Sequence, residues 1–222
     1  MRKVIYARVI TLNKMKTNEK FDGITTFAID CDEVLRALLD NMVALYNEEF
    51  DENVNRDDVK DFNVEVSFPR ISQETGCTAS EWFFIRNGFR LFACSPALPK
   101  VKEAIDKLRK HGQVIIVTYQ KTYANKIDTL DWLNQHGILY DGICFLKNKT
   151  LLHTDWLIDD NTWNFIGCNA KNGVLIEAPY NKDTNLSDLW HCYTNCQQMY
   201  RFKSLDEFAT WYDFCQQTVG VF

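Results

Sequence analysis

A chain of 222 residues with 46% hydrophobic content suits one α/β domain with room for an insertion. No stretch approaches the roughly 20 apolar residues that span a bilayer, which argues against a membrane role. The net charge of −5, without a basic block, argues against a nucleic-acid polymer as partner. The basic N-terminus, MRKVIYARVITLNKMK, has its apolar run broken by Arg8 and lacks a signal peptide's core, so the expected location is cytoplasmic.

Residues 1–23 hold a β-prone piece, Val4 to Leu12, and a polar connector, an extension with no assigned role. Ile24 to Ile29 reads as a strand by its apolar, β-branched content. Asp30, Asp32 and Glu33 follow, and from Val34 apolar residues recur at helical spacing through Tyr46. Between about 50 and 92 the periodicity weakens. DENVNRDDVKDFNVE is acidic and EWFFIRNGFRLF aromatic, which predicts an inserted helical segment outside the sheet.

Pro99 opens an amphipathic helix bearing Val101, Ala104, Ile105 and Leu108, and His111-Gly112 ends it. VIIVT is an apolar strand stopping at Thr118. A helix from about Tyr123 to His136 stops at Gly137. Short strands are expected at Ile143 to Leu146, Trp156 to Ile158 and Val174 to Ala178. SLDEFATWYDF carries a capping box, Ser204 with Glu207, and a closing helix. Continuously apolar strands alternating with helices predict a Rossmann-like parallel sheet covered on both faces.

In such a sheet the ligand crevice lies beyond the carboxyl ends of the strands. Three strands end in polar residues here: Asp30 and Asp32, Thr118, and Asp159 and Asp160. If these strands are neighbours, four carboxylates and a hydroxyl converge, a hard-oxygen set that suits Mg²⁺ and a substrate phosphate. Lys149 lies between the second and third of these strands and can neutralise an aspartate and a phosphoryl oxygen together. Each piece alone has a plainer reading: Asp30 or Asp32 capping a helix at Val34, and Lys149 as a solvated charge. None of the eight cysteines forms a CxxC pair, so reduced thiols are expected. Cys168, Cys192 and Cys196 cluster with His191, but at no standard zinc spacing.

The ordered set, apolar strand then Asp30-Cys31-Asp32-Glu33-Val34, Thr118, Lys149, apolar strand then Asp159-Asp160, resembles the haloacid dehalogenase-like (HAD) phosphatase superfamily over residues 24–165. KTLLHTDWLIDD and ALPKVKEAIDKL resemble segments of the 5'(3')-deoxyribonucleotidases more closely. The resemblance implies a HAD-like core over 24–35 and 93–222, with a small helical cap over 36–92. It also implies a Mg²⁺-dependent hydrolysis of a nucleoside monophosphate. Asp30 would be the nucleophile and Asp32 the general acid and base. Thr118 and Lys149 would hold the phosphoryl group, and Asp30, Asp32 (by its backbone carbonyl), Asp159 and Asp160 would supply metal ligands. Lys147 and Tyr119 would flank the phosphate, and the cap aromatics Trp82, Phe89 and Phe92 could stack on a base. Homodimers are common in the family. Glu33 replaces the usual glycine, and Tyr119-Gln120 replaces the usual Ser-Pro, which bears on substrate range. A sugar phosphate as substrate, or a non-catalytic nucleotide-binding role, are the competing readings.

Overall fold

The computed structural model describes residues 23–219. The N-terminal extension lies outside these residues, apart from Gly23. Six strands form one parallel sheet: β1 (Thr25–Ile29), β2 (Gly112–Thr118), β3 (Gly142–Phe145), β4 (Trp156–Asp159), β5 (Asn172–Ile176) and β6 (Gln198–Phe202). Their order across the sheet is β3-β2-β1-β4-β5-β6. β1 is therefore central, with β2 and β4 on its two sides. At Gly112 a Cβ would fall 2.0 Å from the Thr25 carbonyl oxygen, so a side chain there would force β2 away from β1.

The helices are α1 (Leu38–Phe50), α2 (Val64–Ser67), α3 (Pro69–Thr75), α4 (Ala79–Glu81), α5 (Gly88–Phe92), α6 (Val101–Leu108), α7 (Tyr123–Gln135), α8 (Leu186–Tyr193) and α9 (Leu205–Val219). Most residues of the inner strands β2, β1, β4 and β5 are buried on both faces of the sheet, as a sheet covered by helices requires, and those of the edge strands β3 and β6 are mostly half-buried. Phe27, Ile29, Ile116 and Ile158 pack with Ile105 of α6, Trp132 of α7 and Phe208 of α9. On the other face Ala28, Val117 and Leu157 pack with Phe165, Leu189 of α8 and Met199. Helices α1 to α5 fall between β1 and α6 and hold a separate apolar cluster, including Met42, Tyr46, Phe50, Phe68, Phe83 and Leu91.

Two local expectations differ. The first helix begins at Leu38, four residues after Val34, because the chain turns tightly first. Leu35 and Arg36 N–H both donate to the Cys31 carbonyl at 2.9 Å, and Glu33 N–H donates to the Arg36 carbonyl at 2.8 Å. Neither Asp30 nor Asp32 caps that helix; its N-cap is Ala37, with no side-chain cap. α8 and β6 carried no sequence expectation. β6 is an edge strand of mixed polarity, QMYRF, so it lacks the apolar run that marks its neighbours.

Candidate active site

The sheet order makes β2, β1 and β4 neighbours, so their carboxyl ends bring Thr118, Asp30 and the Asp159-Asp160 pair to one place. Asp30 N–H donates to the Ile158 carbonyl at 2.9 Å, which holds the end of β1 beside that of β4. Lys149 arrives on a one-turn helix, Lys149–Leu151, whose start is capped by the Asn148 side chain. Its ammonium is buried, 2.9 Å from Asp30 Oδ1 and 2.5 Å from Asp159 Oδ2.

The remaining lone pairs of Asp159 are largely taken. Asn161 N–H donates to Oδ1 at 2.9 Å, and the Asn164 amide donates to both oxygens at 3.0 Å. Asp160 is bonded differently: the Tyr180 hydroxyl donates to its Oδ2, and the Asn181 amide donates to its backbone carbonyl at 2.7 Å. Carboxylate oxygens of Asp30, Asp159 and Asp160 lie within 4.8 Å of one another.

Burial dominates the electrostatics. It pushes the Asp30 carboxyl up to about 7, against the lowering pull of Lys149 and with Asp159 and Asp32 adding to the rise. It also raises Asp160 well above the usual range, helped by Asp159 and Asp30. Burial works against the Lys149 charge, but Asp159 and Asp30 outweigh it and raise that ammonium. Three buried carboxylates face one buried ammonium. That imbalance, together with an all-oxygen donor set, fits a hard divalent cation such as Mg²⁺.

Asp32 occupies a different environment from Asp30. Arg36 donates to its Oδ1 through Nη2 at 2.6 Å and Nε at 2.8 Å, and Gln120 Nε2 donates to Oδ2 at 3.0 Å. Arg36 is itself fully buried. Its Nη1 donates to the Phe92 carbonyl at 2.7 Å, and its guanidinium lies 4.9 Å from the Phe92 ring centre and 5.3 Å from that of Trp132. Arg36 thus joins the Asp32 turn to the far end of the helical insertion.

Glu33, between these groups, has φ 59°, the left-handed region that favours glycine. Its buried carboxylate accepts from Leu39 N–H at 2.6 Å and from Arg56 Nη2 at 2.5 Å. These bonds offset the backbone strain of a side chain at this position.

The structure divides the other expected residues. Thr118 is buried at the centre, Lys147 is exposed at the rim, and Tyr119 is 48% exposed. Trp82 and Phe92 belong to the core of the insertion, where Trp82 meets Phe50 and Phe83, and Phe92 meets Phe84 and Arg36. Their placement in that core is a correction to the base-stacking expectation: burial takes up their ring surfaces. Phe89 is exposed. Cys168 and Cys196 Sγ lie 3.3 Å apart and are both free, whereas Cys192 is exposed. Among the described residues the one metal-capable group is the aspartate cluster.

Residues 24–205 match the family described as 5' nucleotidase, deoxy (pyrimidine), cytosolic type C protein. The chain belongs to this family. It is 30% identical over 166 residues to a 5'(3')-deoxyribonucleotidase of Clostridium acetobutylicum, covering 72% of this chain and 86% of the relative. Solved structures show the same fold at low identity. A haloacid dehalogenase-like family hydrolase from Streptococcus pneumoniae superposes with TM-score 0.54 at 14% identity, covering 85% of this chain and 98% of that one. A HAD family hydrolase from Deinococcus radiodurans, with bound phosphate and sodium, does so with TM-score 0.54 at 10% identity, covering 89% and 96%. The protein is a nucleotidase-type phosphoric monoester hydrolase on a HAD fold.

For this nucleotidase, sequence reasoning did not single out Arg36, Asn164, Tyr180 or Asn181, and met Gln120 only as a departure from the family's pattern. Arg36 lies on the expected helix, where a lone arginine reads as a solvated charge. Asn164 had a usable signal, since it follows the acidic pair by four residues. Tyr180 and Asn181 reach the site from the loop after β5 and have no local signal at all.

Proposed function

We propose that this protein is a Mg²⁺-dependent phosphomonoesterase acting on deoxyribonucleoside monophosphates through an aspartyl-phosphate on Asp30. The observation that carries the reading is the cluster of Asp30, Asp159 and Asp160 at the adjacent ends of β1 and β4, with Lys149 from the one-turn helix before β4. Asp30 attacks phosphorus, the ester oxygen leaves, and Asp32 gives that oxygen its proton. Water then attacks the acyl-phosphate with Asp32 taking its proton, which frees phosphate and restores Asp30. To do this the Asp32 carboxylate turns away from Arg36 and Gln120.

Asp30, Asp160 and the Asp32 backbone carbonyl are the metal ligands in this reading. Asp159, whose oxygens are taken by Lys149, Asn161 and Asn164, orients Lys149 instead. A bound Mg²⁺ would supply charge stabilisation to the transferring phosphoryl group. Lys149 contributes a second positive charge and Thr118 a hydrogen bond to a phosphoryl oxygen. Residues 36–92 act as a cap that keeps water from the site.

The test is phosphate release from deoxy- and ribonucleoside 5'- and 3'-monophosphates and from simple sugar phosphates, with Mg²⁺ and with EDTA. Selective turnover of deoxynucleotides, abolished by EDTA, is the expected result. Turnover of sugar phosphates alone would overturn the substrate assignment.

A further inference from the structure

Cys168 and Cys196 lie 28 residues apart in the chain, yet their Sγ atoms face each other at 3.3 Å. Both are free and both are buried. Short connections hold them there. Cys168 follows the one-turn helix Thr162–Phe165, and its N–H donates to the Phe165 carbonyl at 3.2 Å. Cys196 lies between α8 and β6. Its N–H donates to Thr194 Oγ1 at 3.2 Å, and its carbonyl accepts from the Trp190 indole at 3.0 Å. Gly167 N–H donates to the Tyr193 carbonyl at 2.8 Å, which ties the two connections together near the sulfurs.

Apolar burial alone would explain two cysteines here, but it would leave both thiols protonated and inert. The contact between the sulfurs does more. With the Cys196 thiol donating, the Cys168 thiol is brought down to about 7 despite its burial, and Ala170 N–H assists. The same bond, together with burial, pushes the Cys196 thiol up. One sulfur is thus a nucleophile near neutral pH, and its neighbour keeps a proton. The pair lies one layer deep. Gly167 and Asn169 beside Cys168, and Asn195 and Gln197 beside Cys196, are all exposed, so a local opening of these connections admits a small neutral oxidant.

We propose that Cys168 and Cys196 form a site of reversible oxidation, at which a hydroperoxide converts the dithiol to a disulfide. The Cys168 thiolate attacks one oxygen of the O–O bond, that bond breaks, and the other oxygen leaves as hydroxide or alkoxide. Cys168 is now a sulfenic acid. The Cys196 sulfur gives up its proton and attacks the Cys168 sulfur, and the sulfenic oxygen leaves as water. The two sulfurs lose two electrons and the hydroperoxide gains them. The new bond closes a ring that contains β5, α8, and Tyr180 and Asn181, the two residues that bond to Asp160. Oxidation therefore clasps the segment that supports the acidic pair, and restricts the unfolded chain.

The experiment treats the reduced full chain with hydrogen peroxide, blocks the remaining thiols with iodoacetamide in denaturant, and maps the peptides by mass. The expected product is a peptide pair joining Cys168 to Cys196, two hydrogens lighter than the reduced pair and separated by dithiothreitol. Tm of the oxidised protein is expected to rise by roughly 10 °C, with no such rise in Cys196→Ser. In Cys196→Ser the sulfenic acid on Cys168 lacks its partner and is expected to be trapped by dimedone. Wild-type protein whose exposed Cys94 and Cys192 are oxidised while Cys168 and Cys196 both carry the alkyl block overturns the proposal. Oxidation of Cys168 or Cys196 to a sulfinic or sulfonic acid without the crosslink overturns it as well.

Discussion

The strand ends of the sheet and the helical insertion α1 to α5 are held by different forces. At the strand ends, backbone pairing places Asp30, Thr118 and Asp159 by register, and the charges of Asp30, Lys149, Asp159 and Asp160 are then buried together. The insertion is held internally by aromatic burial: Tyr46 against Phe68, Phe68 against Phe83, Phe50 against Trp82. It packs along α7 through α5, where the Asn125 amide donates to the Phe84 carbonyl at 2.9 Å, and is joined to the sheet region by further tethers. These include Arg36 to the Phe92 carbonyl, Glu33 to Arg56, Lys182 to Asp57, and the Tyr180 ring against Phe62. A change at the strand ends acts on chemistry and on buried charge at once. A change at a tether acts on how the insertion sits.

The sharpest way to break this contrast is Asp30→Asn. It preserves shape and removes the proposed nucleophile, so phosphate release is expected to fall at least about 10³-fold with the fold retained by circular dichroism. Next comes Lys149→Met, which leaves Asp30 and Asp159 facing each other uncompensated. Removing one partner of a buried ion network costs about 3–5 kcal/mol, so Tm is expected to drop by roughly 10 °C in a thermal melt.

A third effect is the pH dependence of stability without metal. The folded-state carboxyl of Asp30 sits at about 7, above its unfolded value, so the folded protein binds the extra proton. Stability of the EDTA-treated protein is therefore expected to fall as pH rises from about 4 through 7. Mg²⁺ should raise Tm more at pH 8 than at pH 5, because protons compete for the same oxygens. A flat metal-free profile would contradict the burial of these carboxylates. The smallest effect is at a tether. Glu33→Gln keeps the bond from Leu39 N–H but weakens the pairing with Arg56, and an expected loss of about 1 kcal/mol is read by chemical denaturation.

The same contrast explains what could be read from the sequence. A central parallel strand is buried on both faces, so its apolar run stands out, and a carboxylate at its end is conspicuous. Asp30, Thr118, Asp159 and Asp160 were legible for that reason, and the resemblance gave them an order and Lys149 its place. The insertion obeys no single period. Its helices are short, one stretch winds as a π-helix over Trp82–Arg86, and its aromatics serve packing. Trp82 and Phe92 therefore drew a ligand-binding expectation from composition that their burial does not match. Arg36 was illegible for a related reason. An arginine in an apparent helix reads as surface, whereas here the turn at Glu33 moves it inside, onto Asp32. Tyr180 and Asn181 become neighbours of Asp160 only through the path of the loop after β5, which no local pattern encodes.

The central claim is that Asp30 carries the phosphoryl group during turnover. The direct measurement is rapid acid quench of the Mg²⁺-loaded enzyme with a ³²P-labelled deoxynucleoside monophosphate, followed by peptide mapping. The account predicts label on the peptide containing Asp30, formed within one turnover and absent in Asp30→Asn. Turnover by Asp30→Asn at the wild-type rate, with no label trapped on either protein, would contradict it.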